Sequence, residues 1–292
     1  MVPAAISIRD CDAESGVSSA LNQHTRFVSS LARILILVLS LPPAIASATD
    51  AALPQAVAYL EAKPGLATVP FAVGEELLFE VRWMGLLAGN ASMAVNGQLS
   101  RDGHDVYHIR TLAQSSPFFS AFYHVRDLGE TYVDVRELYP WYFQLDQREG
   151  KRVVQRTVTF DQERGIAVYT KNQAPPQEVA VPPKVQDSLS SLYLLRTLPL
   201  RVGEPIHMHT FSNGRTYDVE IQVLRRERVE AYWGPVDAFV VRPVLRFQEL
   251  LRQTGDVLIW LTDDERRLPV RMRTEIKVGT IEATLIAVKG VQ

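Results

Sequence analysis

His207-x-His209 is the pair in this sequence most suggestive of chemistry, because a strand would set both imidazoles on one face, as some zinc sites do. A third ligand would come from His104, His108, His124 or an acid, and no spacing selects one. A half-exposed polar face, with Ile206 and Met208 packed on the other side, explains the same residues. His207 and His209 therefore stand as weak metal candidates, and no metal is expected. Asp263-Asp264-Glu265-Arg266-Arg267 offers paired carboxylates for acid–base work. Its place between two alternating runs, ahead of Leu268-Pro269, reads more simply as a charged turn. Asp127, beside Tyr123, His124 and Arg126, suggests a proton relay, but an aspartate capping a turn at a strand end is the plainer explanation. Ser115-Ser116 and the group Ser188, Ser190 and Ser191 have no nucleophile elbow around them. G-x-S-x-G, H-E-x-x-H, Gly-rich phosphate loops and the Ca²⁺ loop pattern are absent. No catalytic residue and no cofactor is expected.

The aromatic residues offer binding rather than catalysis. Phe118, Phe119, Phe122 and Tyr123 follow Pro117, and Trp141-Tyr142-Phe143 follow Pro140. Consecutive aromatics point to both faces of a strand, so some must leave the ordinary core face. Phe119, Phe122, Trp141 and Phe143 are the candidate walls of an apolar cavity beneath Leu189–Leu195. Arg126 and Arg196 are the candidate cations at its opening, able to meet an anionic head group. Plain core packing is the competing use of the same rings.

The elements that must position these residues are strands. Leu77, Phe79, Val81 and Trp83 alternate with Leu78, Glu80 and Arg82, and Ala91, Met93 and Val95 continue the period as far as Asn96-Gly97. Similar runs recur to Val288, punctuated by Asp102-Gly103 and Asn213-Gly214, dipeptides that favour tight hairpins. Roughly fourteen short strands at hairpin spacing predict an all-β, mainly antiparallel fold. One segment breaks the period. Leu189, Leu192, Tyr193 and Arg196 fall at helical spacing, with Asp187 or Ser188 as N-cap and Pro199 as terminator. The expectation is one domain over residues 71–290, a curved or barrel-like sheet with a short helix near 187–198 lying over one opening.

Charge and composition limit the function classes. The chain has 292 residues, 31 basic against 33 acidic, so it lacks the broad positive field of a nucleic-acid binder. Arg26 and Arg33, the apolar run Ile34–Leu41 and the small residues Ala46-Ser47-Ala48 form a secretory signal pattern. The apolar run is too short to span a bilayer, so no permanent membrane span is expected after cleavage. Residues 1–48 read as the signal peptide and 49–70 as a linker rich in alanine and proline. Asp10, Asp12 and Glu14 sit oddly ahead of such a signal, which a true start near Val28 would explain. Cleavage also removes Cys11, the only cysteine, leaving no disulfide or thiolate. A periplasmic or secreted location follows.

Several motifs carry a resemblance. They are Gly74-Glu75-x-Leu77-x-Phe79-x-Val81-x-Trp83 with Gly89-x-Ala91, Phe122-Tyr123-x-Val125-x-Asp127, Asp187-Ser188-Leu189-Ser190-Ser191-Leu192-Tyr193-x-Leu195-Arg196, and Val257-x-Ile259-Trp260-Leu261-Thr262-Asp263-Asp264-x-Arg266-Arg267-x-Pro269-Val270. In order and spacing they resemble the bacterial domain-of-unknown-function family 3108, over about residues 71–290. The resemblance implies an exported, β-rich envelope protein and no reaction. The expected function is non-enzymatic: binding an apolar, lipid-like ligand or an envelope protein. The alternatives are a metal- or carboxylate-dependent envelope hydrolase and a structural or assembly factor with a filled core. N-terminal sequencing of the exported form is expected to begin at Thr49; a form retaining residues before Ala46 would contradict the cleavage reading.

Overall fold

The computed structural model describes residues 69–247, 250–252, 257–276 and 279–290. The signal pattern and most of the linker lie outside them. Fifteen strands form one sheet: β1 (Glu76–Trp83), β2 (Leu86–Arg101), β3 (His104–Ser115), β4 (Val125–Asp134), β5 (Pro140–Glu149), β6 (Arg152–Asp161), β7 (Ile166–Lys171), β8 (Gln177–Ala180), β9 (Ile206–Ser212), β10 (Arg215–Ala231), β11 (Gly234–Phe247), β12 (Leu250–Arg252), β13 (Val257–Thr262), β14 (Pro269–Ile276) and β15 (Gly279–Lys289). Two helices interrupt them, α1 (Pro117–Ser120) and α2 (Ser190–Thr197). The hydrogen-bonded order is β8-β7-β6-β5-β4-β3-β2-β1-β15-β14-β13-β11-β10-β9, with β12 against β11. Each strand-to-strand ladder is antiparallel, and the central β1 pairs with the last strand, β15.

Turn chemistry accounts for much of this path. Asp102-Gly103 and Asn213-Gly214 both adopt positive φ and close two-residue hairpins, as their sequence predicts. Asn96-Gly97 does not. It lies inside β2, where the register against β3 shifts between Val95 and Gly97, so the dipeptide makes a bulge and not a turn.

The sheet curls until its two edges approach without pairing. Phe211 on β9 packs edge-on against Phe160 on β6, at 5.8 Å, and against Tyr169 on β7, at 6.2 Å. The chain leaving β8 bridges this seam. Val181 N–H donates to Gly165 C=O, and Gln186 both donates to His209 C=O and accepts from Phe211 N–H. A small apolar cluster fills the seam, with Phe143, Leu145, Val158, Phe160 and Leu189 among its members. The result is barrel-like but not closed.

Because neighbouring strands alternate in direction, the β2–β3, β4–β5 and β13–β14 turns share one end of the molecule. The β1–β2, β3–β4 and β5–β6 connections share the other. Helix α2 occupies the first end. It is buried nearly all round, with Leu192, Tyr193 and Leu195 in the main core beside Phe71, Leu77, Phe79 and Leu138, so it acts as a plug instead of a lid with one wet face.

Two buried charged groups fix the plug. Asp187 accepts from the N–H groups of Leu189 (2.7 Å) and Ser190 (2.9 Å) and from the Thr131 hydroxyl on β4, so it caps the helix from two residues upstream of Leu189. At the other end Arg196 makes a two-pronged ion pair with Glu75, at 2.6 and 2.8 Å. Its Nη2 also donates to the carbonyls of Pro70 and Arg266. The two side chains are 1% and 0% exposed. Gly129 lets the helix entry lean on β4, since a Cβ there would lie 2.9 Å from Thr111 Oγ1 and 3.2 Å from Leu189 Cδ1.

Removing one member of such a pair strands a charge in the core. Arg196→Ala is expected to cost about 3–5 kcal/mol of stability, whereas Glu75→Leu/Arg196→Met together recover most of it. Urea titrations of the three proteins measure this; equal losses in the single and double variants would show that the pair itself is not what matters.

Candidate functional site

The end opposite the plug carries an unusual surface. The β1–β2 turn is Met84-Gly85, with φ of 49° and 82°. This is a left-handed pair where Asn-Gly is ordinary, and a methionine there costs about 1–2 kcal/mol. Arg82 ties the turn by donating to Gly85 C=O, and Met84 N–H donates to Thr280 C=O. Beyond β3, Ser116 caps α1 by accepting from Phe119 N–H, and Pro117 starts the helix. The same Ser116 hydroxyl donates to Leu87 C=O, and Ser116 N–H donates to Ala88 C=O, which locks α1 against β2. Trp83 and Phe119 meet edge-on at 6.1 Å beneath this joint.

On top of it five large apolar side chains face solvent. Phe122 is 78% exposed, Phe118 67%, Met84 63%, Leu86 61% and Leu87 44%. Phe118 and Phe122 meet edge-on at 5.5 Å, and Met84, Leu86 and Leu87 stand bare on the turn at the same end; large apolar side chains exposed together in this way mark interaction sites. A water-sized cleft of about 20 Å³ lies beside α1, lined among others by Val81, Ala88, Gly89, Ala113, Ser115 and Val125.

Inside the sheet at this end is a polar lane. Asp127, the third residue of β4, lies on its inward face and is fully buried. It accepts from Gln147 Nε2 at 3.3 Å and from Arg148 N–H at 3.0 Å, while Gln147 Oε1 accepts from Arg156 at 2.6 Å. Burial pushes the Asp127 carboxyl up to about 6, against the pull of these hydrogen bonds and of the Arg156 charge. Burial raises Asp187 to about 6 as well, against hydrogen bonds from Thr131 and the helix N–H groups. Desolvation likewise lowers the Arg156 pKa, and its neighbour Tyr169 is raised.

The candidate residues read from the sequence do not converge. Phe119 is buried on α1, but Phe122 stands out in solvent, because the chain turns away after a single helical turn. Trp141 is on the outer face at the plug end, stacked on His104 at 3.6 Å with Nε1 donating to Asp134. Phe143 faces inward into the seam cluster, where it does share a layer with Leu189. Arg126 is half-buried on the outer face of β4, in register with Gln114 and Arg148. Arg196 is at no opening at all, since its charge is consumed in the core by Glu75. A single cavity walled by the four aromatics beneath α2 is therefore replaced by separate packing sites, with α2 filling the space itself.

Other expectations fare differently. Asp127 is no strand-end cap; the inward pleat of β4 carries it into the core. Asp264 does organise a turn, accepting from Thr262 Oγ1, from the N–H groups of Arg266 and Arg267 and from the Arg266 guanidinium. His207 and His209 share the outer face of β9, and His209 Nδ1 lies 2.6 Å from Asp218 Oδ1 on β10. Among the described residues no group of three or more His, Cys, Asp or Glu is placed to hold a metal. The turn Met84–Leu87 is a further candidate: Trp83-Met84-Gly85-Leu86-Leu87 is a turn sequence with no charged side chain, and that is the signal in the sequence that marks it.

The profile of a family described as "Protein of unknown function (DUF3108)" matches residues 78–286. The chain belongs to this family. No curated protein matches it. Among solved structures, a "beta-barrel-like protein of domain of unknown function DUF1849" from Brucella abortus is similar at a TM-score of 0.50 and 10% identity, over 74% of this chain and 97% of that one. An exported-protein candidate with a YmcC-like fold from Bacteroides fragilis aligns at a TM-score of 0.30 and 10% identity, over 76% of this chain and 98% of that one. A lipoprotein candidate from Parabacteroides distasonis aligns at 0.30 and 9%, over 76% and 99%. The Brucella likeness supports the barrel-like architecture of this family member and nothing more specific.

The two raised carboxyls give a pH dependence of definite sign. A carboxyl that holds its proton more tightly when folded stabilises the fold below its unfolded value, 3.8, and loses that contribution as pH rises through about 6. Wild type is thus expected to lose about 2 kcal/mol relative to Asp127→Asn between pH 4 and pH 6. Paired denaturant titrations across that range measure the difference; a flat difference would mean that Asp127 is not held protonated.

Proposed function

We propose that this family member is a non-enzymatic extracytoplasmic protein that binds a lipid-like, amphipathic molecule at the end opposite α2. The observation that carries the reading is the bare apolar patch of Met84, Leu86, Leu87, Phe118 and Phe122 around the α1–hairpin joint. An acyl chain laid along it removes apolar surface on both partners from water, at up to about 0.8 kcal/mol for each methylene fully covered. Phe118 is braced edge-on by Phe119 at 5.6 Å and by Phe122 at 5.5 Å, and Ser116 and Trp83 hold Phe119 beneath them, which limits the ordering lost on binding. The signal pattern ending at Ala48 supports an extracytoplasmic setting, where such ligands are abundant.

Neither of the groups with possible chemistry sits at this patch. His207 and His209 are on β9, and Asp127 is buried behind Val125 with its hydrogen bonds occupied, which favours binding over hydrolysis. Titration of a fluorescent fatty acid is expected to saturate, to tighten with chain length, and to weaken at least about tenfold in Phe118→Ser/Phe122→Ser. Both side chains are exposed, so the variant is expected to melt as wild type does. Wild type without saturable binding would defeat the reading.

A further inference from the structure

We propose that the same end is a docking face for the surface of an anionic lipid bilayer. This rests on reading the apolar patch as lipid-binding, and it adds the class of surface and the groups that select it. Beside α1 the β5–β6 turn is held in place by Gly150 N–H donating to His124 C=O, and Gly150 leaves room for the Tyr123 ring, which a Cβ would meet at 2.9 Å. This brings Arg126, Arg148, Lys151 and Arg152 to the flank of the Phe118–Phe122 knob, with Arg148 opposite Arg126 across the β4–β5 ladder.

The acids on this flank neutralise two of the four bases, Arg148 and Arg152, and leave Arg126 and Lys151. Asp127 and Glu149 are buried, Glu149 with Arg152 at 3.6 Å, and Asp146 is engaged by Arg148 at 3.0 Å. On the hairpin side Glu80 is paired with Arg82, and Glu275, on β14, with Arg273 at 3.4 Å. Arg126 and Lys151 form no ion pair among the described residues. An apolar knob flanked by unpaired cations is the arrangement that sits in a membrane interface, with side chains below the head groups and bases among anionic phosphates. The chain holds the knob rigidly, in a left-handed Met84 turn and a capped single turn of helix, and no described helix is long and apolar enough to cross a membrane. Docking here is peripheral.

The test is co-sedimentation of the protein, purified after its own processing, with vesicles of phosphatidylcholine alone and of about three parts phosphatidylcholine to one of phosphatidylglycerol. Binding is expected to the anionic vesicles and to fall steeply with added salt. Phe118→Ser/Phe122→Ser is expected to weaken it at least tenfold. Arg126→Gln/Lys151→Gln is expected to weaken it by roughly fivefold for each charge removed. Val202→Ser, an exposed apolar site before β9 at the plug end, is expected to change nothing. Melting curves establish that all variants fold. Failure to sediment, or binding indifferent to both lipid charge and the Arg126/Lys151 change, would overturn the proposal. Saturable fatty-acid binding without vesicle binding would overturn it too, while leaving the ligand reading standing.

Discussion

The buried ion pair between Glu75 and Arg196 is the interaction on which the rest of this structure depends. A barrel-like sheet of this width needs something to fill its concave side, and α2 fills it at one end. A helix of eight residues is too short to be stable alone, so it must be fixed from outside. Glu75, placed just before the first strand, and Asp187, reaching Thr131 on β4, do this at its two ends. The clasp gathers three separated stretches, since Arg196 also holds the carbonyls of Pro70 and Arg266. Every one of these groups is costly to bury alone, and the arrangement stands because the two Nη groups of Arg196 and the Glu75 and Asp187 carboxylates are all engaged.

That constraint divides the molecule. The plug end is densely packed, with charge neutralised internally and aromatic rings such as Trp141 and His104 stacked against each other. The opposite end is built differently, with a polar lane inside and apolar side chains outside, the inverse of ordinary burial. Two local devices maintain the inversion. Ser116 spends its hydroxyl on both α1 and β2, and Met84 accepts a left-handed backbone so that an apolar side chain can occupy the tip. Binding at this end therefore need not disturb the core that α2 completes.

The motifs that carry the family resemblance gain a physical meaning from this. Gly74-Glu75, Asp187 to Arg196, and the Arg266 turn are far apart in sequence and meet at the clasp. They report how the barrel is plugged, which is a matter of folding. Phe122-Tyr123-x-Val125-x-Asp127 instead runs from the exposed knob into the polar lane, so it joins surface to interior within six residues.

By itself the sequence determined the elements: period-two alternation marked the strands, Asp102-Gly103 and Asn213-Gly214 the turns, and Leu189 to Arg196 the helix. These are local properties, set by which φ and ψ each residue tolerates and by which face of an element is apolar. Tertiary structure alone decided what the charged and aromatic residues do. Alternation says that Asp127 and Arg126 face opposite ways, but only the sense of curling puts Asp127 inside. Arg196 has the sequence of an exposed helix terminus until Glu75, 121 residues away, supplies its partner. Phe119 and Phe122 are both aromatic residues of one short segment, yet one is core and the other bare. That difference arises where α1 ends against β2, which no spacing in the sequence records.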